Sequence, residues 1–438
     1  MKHHRKIVIA FVCFAAAIAA SALVAILYDT PHPDDSDLRP ILKNVADEDN
    51  AMVVMRELSK LLKVTHEDFT ELGLTEGSSI IKFYSVLSGK SDDDERMVRS
   101  IIEKNKPAVS LFFAAMKKPE LQFDEGFGAT NEAYMNDYAI KTLEGCMRCM
   151  QLRWRYMVQD GFLMEVMDEL LLVRKFVQRY MAAPDGFMNS FLMGLSADAM
   201  CLQTAMQNTG QFKDKLICLE ISRQLSKNEV GKDDFITMMR GSYVYEDSLM
   251  RLPEPGKYYF LPISRSNCRY FYRPNMTRAR LCQLTRKVIK DVRNDIAPAF
   301  DQATLDAYEN RDKLRYLIWP NSSGEAMAVV SASEPASVYI RMLNMQAITR
   351  QIACAFVLRA YWLDYHTLPK SLDVLVPAYM DSVPEDPFIK RPMQYDASKT
   401  LLYCAGPERL VDDGSFAFEE DAEPFGRRAF VILDWAKK

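Results

Sequence analysis

Side chains suited to acid–base or nucleophilic chemistry are sparse in this sequence. It contains no GxSxG nucleophile turn, no phosphate-binding GxxxxGK[ST] loop and no HExxH zinc motif. Beyond the apolar N-terminal segment the histidines are His32, His66 and His366, which stand far apart in sequence. A catalytic triad or a zinc centre needs several such residues beside one another. We therefore assign no catalytic residue and no cofactor-binding residue from the sequence.

Carboxylates are the remaining candidates, because a pair of acids suffices for glycoside hydrolysis. Asp198 stands out, since it lies within the otherwise apolar run Phe187–Met206. We expect Asp198 to be a core acid with a partner, and the alternative is a site residue. A second buried acid beside Asp198 would favour a hydrolase.

The nine cysteines form no disulfide framework. Cys146 and Cys149 make a CxxC within a strong helical pattern, whereas a redox CxxC opens a helix after a strand. We expect two core cysteines, with a disulfide or redox pair as the alternative.

One stretch, Lys257–Pro274, interleaves aromatic residues with arginines. Its members are Tyr258, Tyr259, Phe260, Arg265, Arg269, Tyr270, Phe271, Tyr272 and Arg273. Flat side chains of this kind stack on bases or sugars, so sugar or cell-wall binding is one hypothesis. An extended segment packed on the helices is the alternative. The net charge of −4 argues against a nucleic-acid partner.

The elements that would position these residues are mainly helical. Glycine is scarce, at 17 residues, and methionine is abundant, at 25, which favours helix over sheet. Apolar periodicity predicts helices over Asp47–Leu62, Tyr134–Val158, Phe162–Met181, Phe187–Met206, Met276–Ile296 and Ala336–His366. Ser91–Lys118 predicts two helices, the second opened by Pro107. The small, polar Asn321–Pro335 marks a candidate domain boundary.

The N-terminus predicts a membrane anchor. MKHHRK is basic, and the 22 residues Ile7–Tyr28 carry no charge. A helix of that length spans about 33 Å, enough for a bilayer core. A cleavable signal has a shorter apolar region, so we expect a retained helix, with a cleaved signal as the alternative. The basic flank indicates a cytoplasmic N-terminus, and the acidic, proline-rich residues 29–37 predict an exposed stalk outside.

The last hundred residues contain short motifs in a characteristic order. After the helix Ala336–His366 come Leu-Pro, SLDVLVP, VPEDPF, the strand candidates MQY and LLYCAG, the acidic segment LVDDGSFAFEED and a last strand, RAFVIL. This order resembles the globular head of type II secretion major pseudopilins and covers roughly a quarter of the chain. Lys390 stands where a turn glycine is common in that family. The helical part also resembles uncharacterised membrane-anchored helical proteins of planctomycete-like bacteria, through Asp49-Asn50-Ala51.

The pseudopilin resemblance implies a calcium site between the last strands. Asp412, Asp413 and Asp421 would supply side-chain oxygens and Leu410 a carbonyl, in keeping with the oxygen ligands that calcium takes. A solvated acidic turn is the alternative, and Glu408-Arg409 replaces the Asp-Gly usual in the family.

Together these patterns predict a mainly α protein with an N-terminal membrane helix (residues 1–30), an extracytoplasmic helical domain (31–333) and a small α+β pseudopilin-head-like domain (334–438). We expect a single-pass protein of the inner membrane with its C-terminal body outside the cytoplasm. The expected function is that of an interaction or scaffold protein of the bacterial envelope, with envelope or secretion-machinery proteins as partners. The alternatives are an envelope hydrolase with a carboxylate pair and a cell-wall or sugar-binding protein.

Overall fold

The structure, a computed structural model, describes residues 16, 28–63, 92–123, 138–251, 272–298, 321–406 and 430–436. It is mainly helical, as predicted. The α-helices of this part are α1 (Ala51–Leu61), α2 (Asp92–Met116), α3 (Tyr138–Gln159), α4 (Leu163–Met181), α5 (Met188–Asn208), α6 (Lys215–Lys227), α7 (Lys232–Met250), α8 (Pro274–Arg293) and α9 (Ser322–Tyr365).

Three short strands near the C-terminus form one antiparallel sheet in the order β1-β2-β3. They are β1 (Gln394–Asp396), β2 (Leu401–Tyr403) and β3 (Phe430–Ile432), with Tyr395 opposite Leu402 and Leu402 opposite Val431. β2 and β3 fall within the strand candidates LLYCAG and RAFVIL, and β1 overlaps the candidate MQY but is shifted by one residue. The segment SLDVLVPAYM, by contrast, forms only a single 3₁₀ turn, Leu372–Leu375.

The two helices predicted around Pro107 are in fact one helix, α2. Proline removes one backbone hydrogen bond from a helix interior, yet burial of a continuous face offsets that loss. Residues on both sides of Pro107 lie on this face and are buried, namely Ile101, Asn105, Ala108, Phe112 and Ala115. The Asn105 amide also donates to the Ile101 carbonyl at 2.8 Å, which stabilises the turn before the proline.

The small, polar residues of Asn321–Pro335 are also helical, because α9 runs from Ser322 through Pro335 to Tyr365. Small side chains here serve close packing. The position of a Cβ on Gly324 is occupied by the Thr277 and Asn321 side chains, so only glycine permits this approach to α8. The small residues of this stretch therefore indicate close packing between helices, and they do not indicate a loop.

The chain forms two compact units. Among the described residues, the second unit comprises 42–63, 92–123, 138–238, 338–406 and 430–436. Within it α5 packs along α4 and against α3, while α1 packs on α2 and α3. Thirteen of the 21 residues of α5 are buried, as expected for a helix that is apolar on nearly all sides. The predicted division at residues 333 and 334 stays a prediction.

The first unit comprises the described residues 28–41, 239–251, 272–298 and 321–337. Its N-terminal stretch is largely exposed, as predicted, but it is not a free stalk, because its acids bind α8. The Asp29 carboxylate accepts from the backbone N–H groups of Asn275 and Met276 at 2.9 and 3.1 Å. Acids favour helix N-termini, where backbone N–H groups are unpaired, so Asp29 caps α8, while Asp35 and Asp37 pair with arginines.

The predicted membrane helix Ile7–Tyr28 lies outside the described residues except for Ala16 and Tyr28. Among the residues that are described, no helix combines the length and the apolar character needed to cross a bilayer.

Candidate functional site

The most concentrated group of charged side chains is a buried cluster in the first unit, made of Asp35, Arg39, Tyr243, Asp247 and Arg278. Arg39 bridges the two acids, at 2.7 Å from Asp35 Oδ2 and 3.0 Å from Asp247 Oδ2. Arg278 Nε donates to Asp247 Oδ1, and the Tyr243 hydroxyl donates to Asp35 Oδ2 at 2.7 Å. Both aspartate side chains are less than a tenth exposed. Arg251 also donates to Asp247 Oδ2 at 2.7 Å, so the two buried carboxylates have four donor side chains.

Electrostatics keep the Asp35 carboxyl ionised. Burial opposes its charge most strongly, but hydrogen bonds from Arg39 and Tyr243, with the charges of Arg39 and Arg278, outweigh burial and lower its pKa to about 2. A general acid needs a pKa near the working pH. Asp35 is therefore a structural anion and unsuited to proton donation.

This low pKa predicts acid sensitivity of the first unit. A carboxyl whose pKa falls from 3.8 to about 2 on folding stabilises the fold fully above pH 4, and that contribution is lost as the pH falls towards 2. We expect Asp35→Asn to destabilise the protein at neutral pH and to flatten the loss of stability between pH 4 and pH 2. Melting temperatures measured across this range test the expectation. The control Asp373→Asn changes an exposed carboxylate and should keep the wild-type dependence of melting temperature on pH. An unchanged pH dependence in Asp35→Asn would contradict the assignment.

Asp198, the candidate singled out from the sequence, lies in the second unit and faces a cation. Arg174 Nε and Nη2 contact its two carboxylate oxygens at 2.6 and 3.1 Å, and both side chains are fully buried. Arg174 also donates to the Leu225 and Asn228 carbonyls at 3.3 and 3.1 Å. The expectation of a paired core acid is confirmed, and the partner is an arginine where a hydrolase would need a second acid.

Two described carboxyls, Asp234 and Glu334, have a raised pKa, and burial is the main cause in both. Burial, and secondarily the nearby charge of Asp233, raises the pKa of Asp234. Its carboxylate accepts from the Gly231 N–H at 2.7 Å at the start of α7. This contact is that of a helix-capping acid, and it gives the carboxyl a structural role.

An apolar cleft of about 200 Å³ opens on the second unit. Three short pieces of chain line it, residues 42–45, 119–122 and 179–184. Lys43 and Glu120 approach each other to 3.8 Å at its edge. Arg179 is fixed by the backbone at the end of α2, donating to the Met116 carbonyl at 2.7 Å and also to that of Lys118. The cleft suits an apolar group with a polar neighbour.

The proline-rich tail is held together by one buried acid, Asp386. Its carboxylate accepts from the backbone N–H groups of Phe388 and Ala405 at 2.8 and 2.6 Å. Its own N–H donates to the Arg391 carbonyl at 2.7 Å. The Asp-Pro-Phe turn is thereby fixed to the end of β2.

Lys390 closes that turn in the left-handed region, at φ 54°. This conformation costs a residue with a Cβ about 1–2 kcal/mol, whereas glycine adopts it freely. We expect Lys390→Gly to raise the free energy of unfolding by up to about 1 kcal/mol, since the greater entropy of unfolded glycine offsets part of the gain. Chemical denaturation tests this, with Lys370→Gly as the control that should bring no gain. Equal changes in the two variants would contradict the expected effect.

Several predicted site residues are not brought together or lie outside the described part. Asp412, Asp413 and Asp421, with Leu410, are outside it, as is the aromatic stretch except for Tyr272 and Arg273 and the following Pro274. The Tyr272 hydroxyl donates to the Met250 carbonyl. His66 is also outside, while His32 and His366 are exposed. Within the described residues no group of three or more His, Cys, Asp or Glu side chains is placed to hold a metal ion.

Cys146 and Cys149 form no disulfide and are buried in α3, which confirms the prediction of core cysteines. Burial, together with the neighbouring Cys149, raises the pKa of the Cys146 thiol well above its usual value. A protonated thiol is a poor nucleophile, so burial favours the interpretation as core cysteines over that of a redox pair.

The ionic cluster of the first unit was not predicted from the sequence. Two local signals were present, because Asp35 and Arg39, like Asp247 and Arg251, stand four residues apart. Such pairs are common on exposed helices and do not show burial. Comparison of the chain with protein-family models, with curated proteins and with solved structures gives no match.

Proposed function

We propose that this protein is a membrane-anchored, extracytoplasmic interaction or scaffold protein of the bacterial envelope. The observation that carries the proposal is the apolar cleft of the second unit, whose polar members are an exposed ion pair and a backbone-bound arginine. Apolar clefts of this kind accommodate side chains of a partner. The buried aspartates Asp35, Asp198 and Asp247 are each ion-paired with arginine, so they give the hydrolase alternative no support.

The proposed anchor is the uncharged run Ile7–Tyr28 behind its basic flank. Asp29 binds α8 directly after this run, so an anchor ending at Tyr28 would hold the first unit at the membrane surface. A reporter that is active only outside the cytoplasm, fused at Lys438, tests the orientation. An intact but inactive fusion would contradict it.

We also propose a pseudopilin-head-like α+β unit at the C-terminus, with a link to a type II secretion-like system. Its support is the order of one long helix, a proline-rich turn and a three-stranded sheet, and the left-handed Lys390 where the family commonly has glycine. The calcium site at Asp412, Asp413 and Asp421 belongs to this proposal. It requires that calcium raise the melting temperature relative to chelator, and that an Asp412→Ala, Asp413→Ala double variant lose the shift.

Site-specific photocrosslinking tests the interaction function. Leu42 lines the cleft and is 44% exposed, and Phe162 in the same unit is 50% exposed and does not line it. A photoreactive residue at position 42 of the full chain, expressed in its own cells, should yield a discrete adduct with another protein. The same residue at position 162 should not. Identical adducts at both positions, or none at either, would count against a docking cleft.

A further inference from the structure

A group of tyrosines forms a surface at the C-terminal end of α9, in the second unit. Tyr361, Asp364 and Tyr365 stand at i, i+3 and i+4 and so share one helix face. The ring centroids of Tyr361 and Tyr365 are 4.5 Å apart, and Tyr379 packs against Tyr361 edge to face at 5.5 Å. Tyr365 remains 57% exposed. A tyrosine cluster on the surface, apart from the buried core, calls for a role beyond packing.

The edge of this surface carries a fixed set of hydrogen-bonding groups. The Tyr379 hydroxyl donates to Asp364 Oδ2 at 2.5 Å, and Lys215 Nζ donates to the same oxygen at 2.9 Å. The Asp364 and Lys215 side chains stay 28% and 47% exposed. A carboxylate accepts and an ammonium donates, so both kinds of partner are presented beside the rings.

The chemistry of the surface discriminates among ligands. The Lys215–Asp364 pair has no net charge and gives a phosphate backbone no net attraction, which disfavours nucleic acid and anionic lipid. Docking of a largely apolar partner would remove water from the Lys215–Asp364 pair, and this desolvation would cost binding free energy. A sugar chain has neither drawback, because its C–H faces lie on aromatic rings while its hydroxyls both donate and accept. We propose that Tyr361, Tyr365 and Tyr379, edged by Asp364 and Lys215, bind an uncharged, hydroxyl-rich glycan chain.

This site is distinct from the cleft of the proposed scaffold function. It also differs in residues from the aromatic stretch Lys257–Pro274. The proposal rests on the described contacts of the second unit and does not depend on membrane anchoring or orientation.

Calorimetric titration of the full chain tests the proposal. The protein is held in amine-oxide micelles, because glycoside detergents would compete, and is titrated with β-1,4-linked hexamers of glucose and of N-acetylglucosamine. Saturable binding of at least one hexamer is expected. Tyr365→Ala should weaken it about tenfold, the upper range for an aromatic contact, and Tyr365→Phe should keep it within about threefold because the ring remains.

Phe162→Ala is the matched control, since Phe162 is a similarly exposed aromatic residue of the same unit. It should leave the dissociation constant unchanged. Absence of saturable binding to both hexamers would overturn the proposal, as would equal weakening by Tyr365→Ala and Phe162→Ala. Another outcome is that the wild-type chain binds no glycan but forms a crosslink to another protein that is lost in Tyr365→Ala. That result would identify a protein-docking surface and would also overturn the proposal.

Discussion

Replacing Arg174 by methionine is expected to lower the free energy of unfolding of the second unit by about 3–5 kcal/mol. Methionine fills much the same volume but leaves Asp198, whose side chain is 1% exposed, without its cation. A buried carboxylate without a partner must be protonated or desolvated, and either costs stability. The carbonyls of Leu225 and Asn228 lose a donor as well. Hydrogen exchange of α4 and α5 peptides in the full chain should become faster.

Two matched variants separate the ion pair from general disruption. Arg174→Met combined with Asp198→Leu removes both charges and should recover much of the loss, because paired apolar replacements of buried ion pairs are often tolerated. Arg223→Met breaks an exposed pair with Glu220 and should change stability by less than about 1 kcal/mol. An Arg174→Met protein with wild-type exchange rates would show that the buried pair is unimportant.

Asp247→Asn should destabilise the first unit by about 3 kcal/mol. Asparagine keeps the size of the side chain and removes the charge that Arg39, Arg251 and Arg278 share. Arg278 is the most affected, because its side chain is 4% exposed and its other carboxylate, on Asp35, lies 3.9 Å away. Hydrogen exchange of the backbone amides of α7 and α8 measures this loss of stability.

Asp37→Asn provides the comparison for Asp247→Asn. Asp37 also binds an arginine, Arg286, at 2.5 Å, but its side chain is 57% exposed. Solvent screening limits such a pair to less than about 1 kcal/mol. If Asp37→Asn and Asp247→Asn proved equally destabilising, burial would not be what gives the cluster its importance.

The helices could be predicted because their apolar periodicity is local information. The bounds of α4 and the buried character of α5 follow from residues 3 and 4 apart along the chain. The continuity of α2 through Pro107 could not be predicted, since it depends on a face buried by other helices. For the same reason the sequence does not indicate why residue 324 is glycine, since the Thr277 and Asn321 side chains that require it to be small are known only from the fold.

The candidate sites were predictable only in part. Asp198 could be identified from the sequence because a single acid in an apolar helix needs a partner. The sequence around Asp198 does not show that this partner is Arg174, because the two residues are 24 apart along the chain. The tyrosine surface joins Tyr361 and Tyr365, spaced for one helix face, to Tyr379 and Lys215, which only the tertiary fold brings near. The calcium ligands Asp412, Asp413 and Asp421 remain a prediction from the pseudopilin resemblance.

The ionic cluster of the first unit also has a consequence for the order of events during biosynthesis. Asp35 meets Tyr243 208 residues later, and Asp37 meets Arg286 after 249 residues. The ribosome must therefore synthesise most of α8 before Asp35 meets Arg278 and Asp37 meets Arg286. Until then, Arg39 is the nearest of the cations that Asp35 meets in the fold, and contacts so distant in sequence form slowly. A pause in translation before residue 278 would prolong this vulnerable interval, whereas a pause after α8 has emerged would let the first unit close.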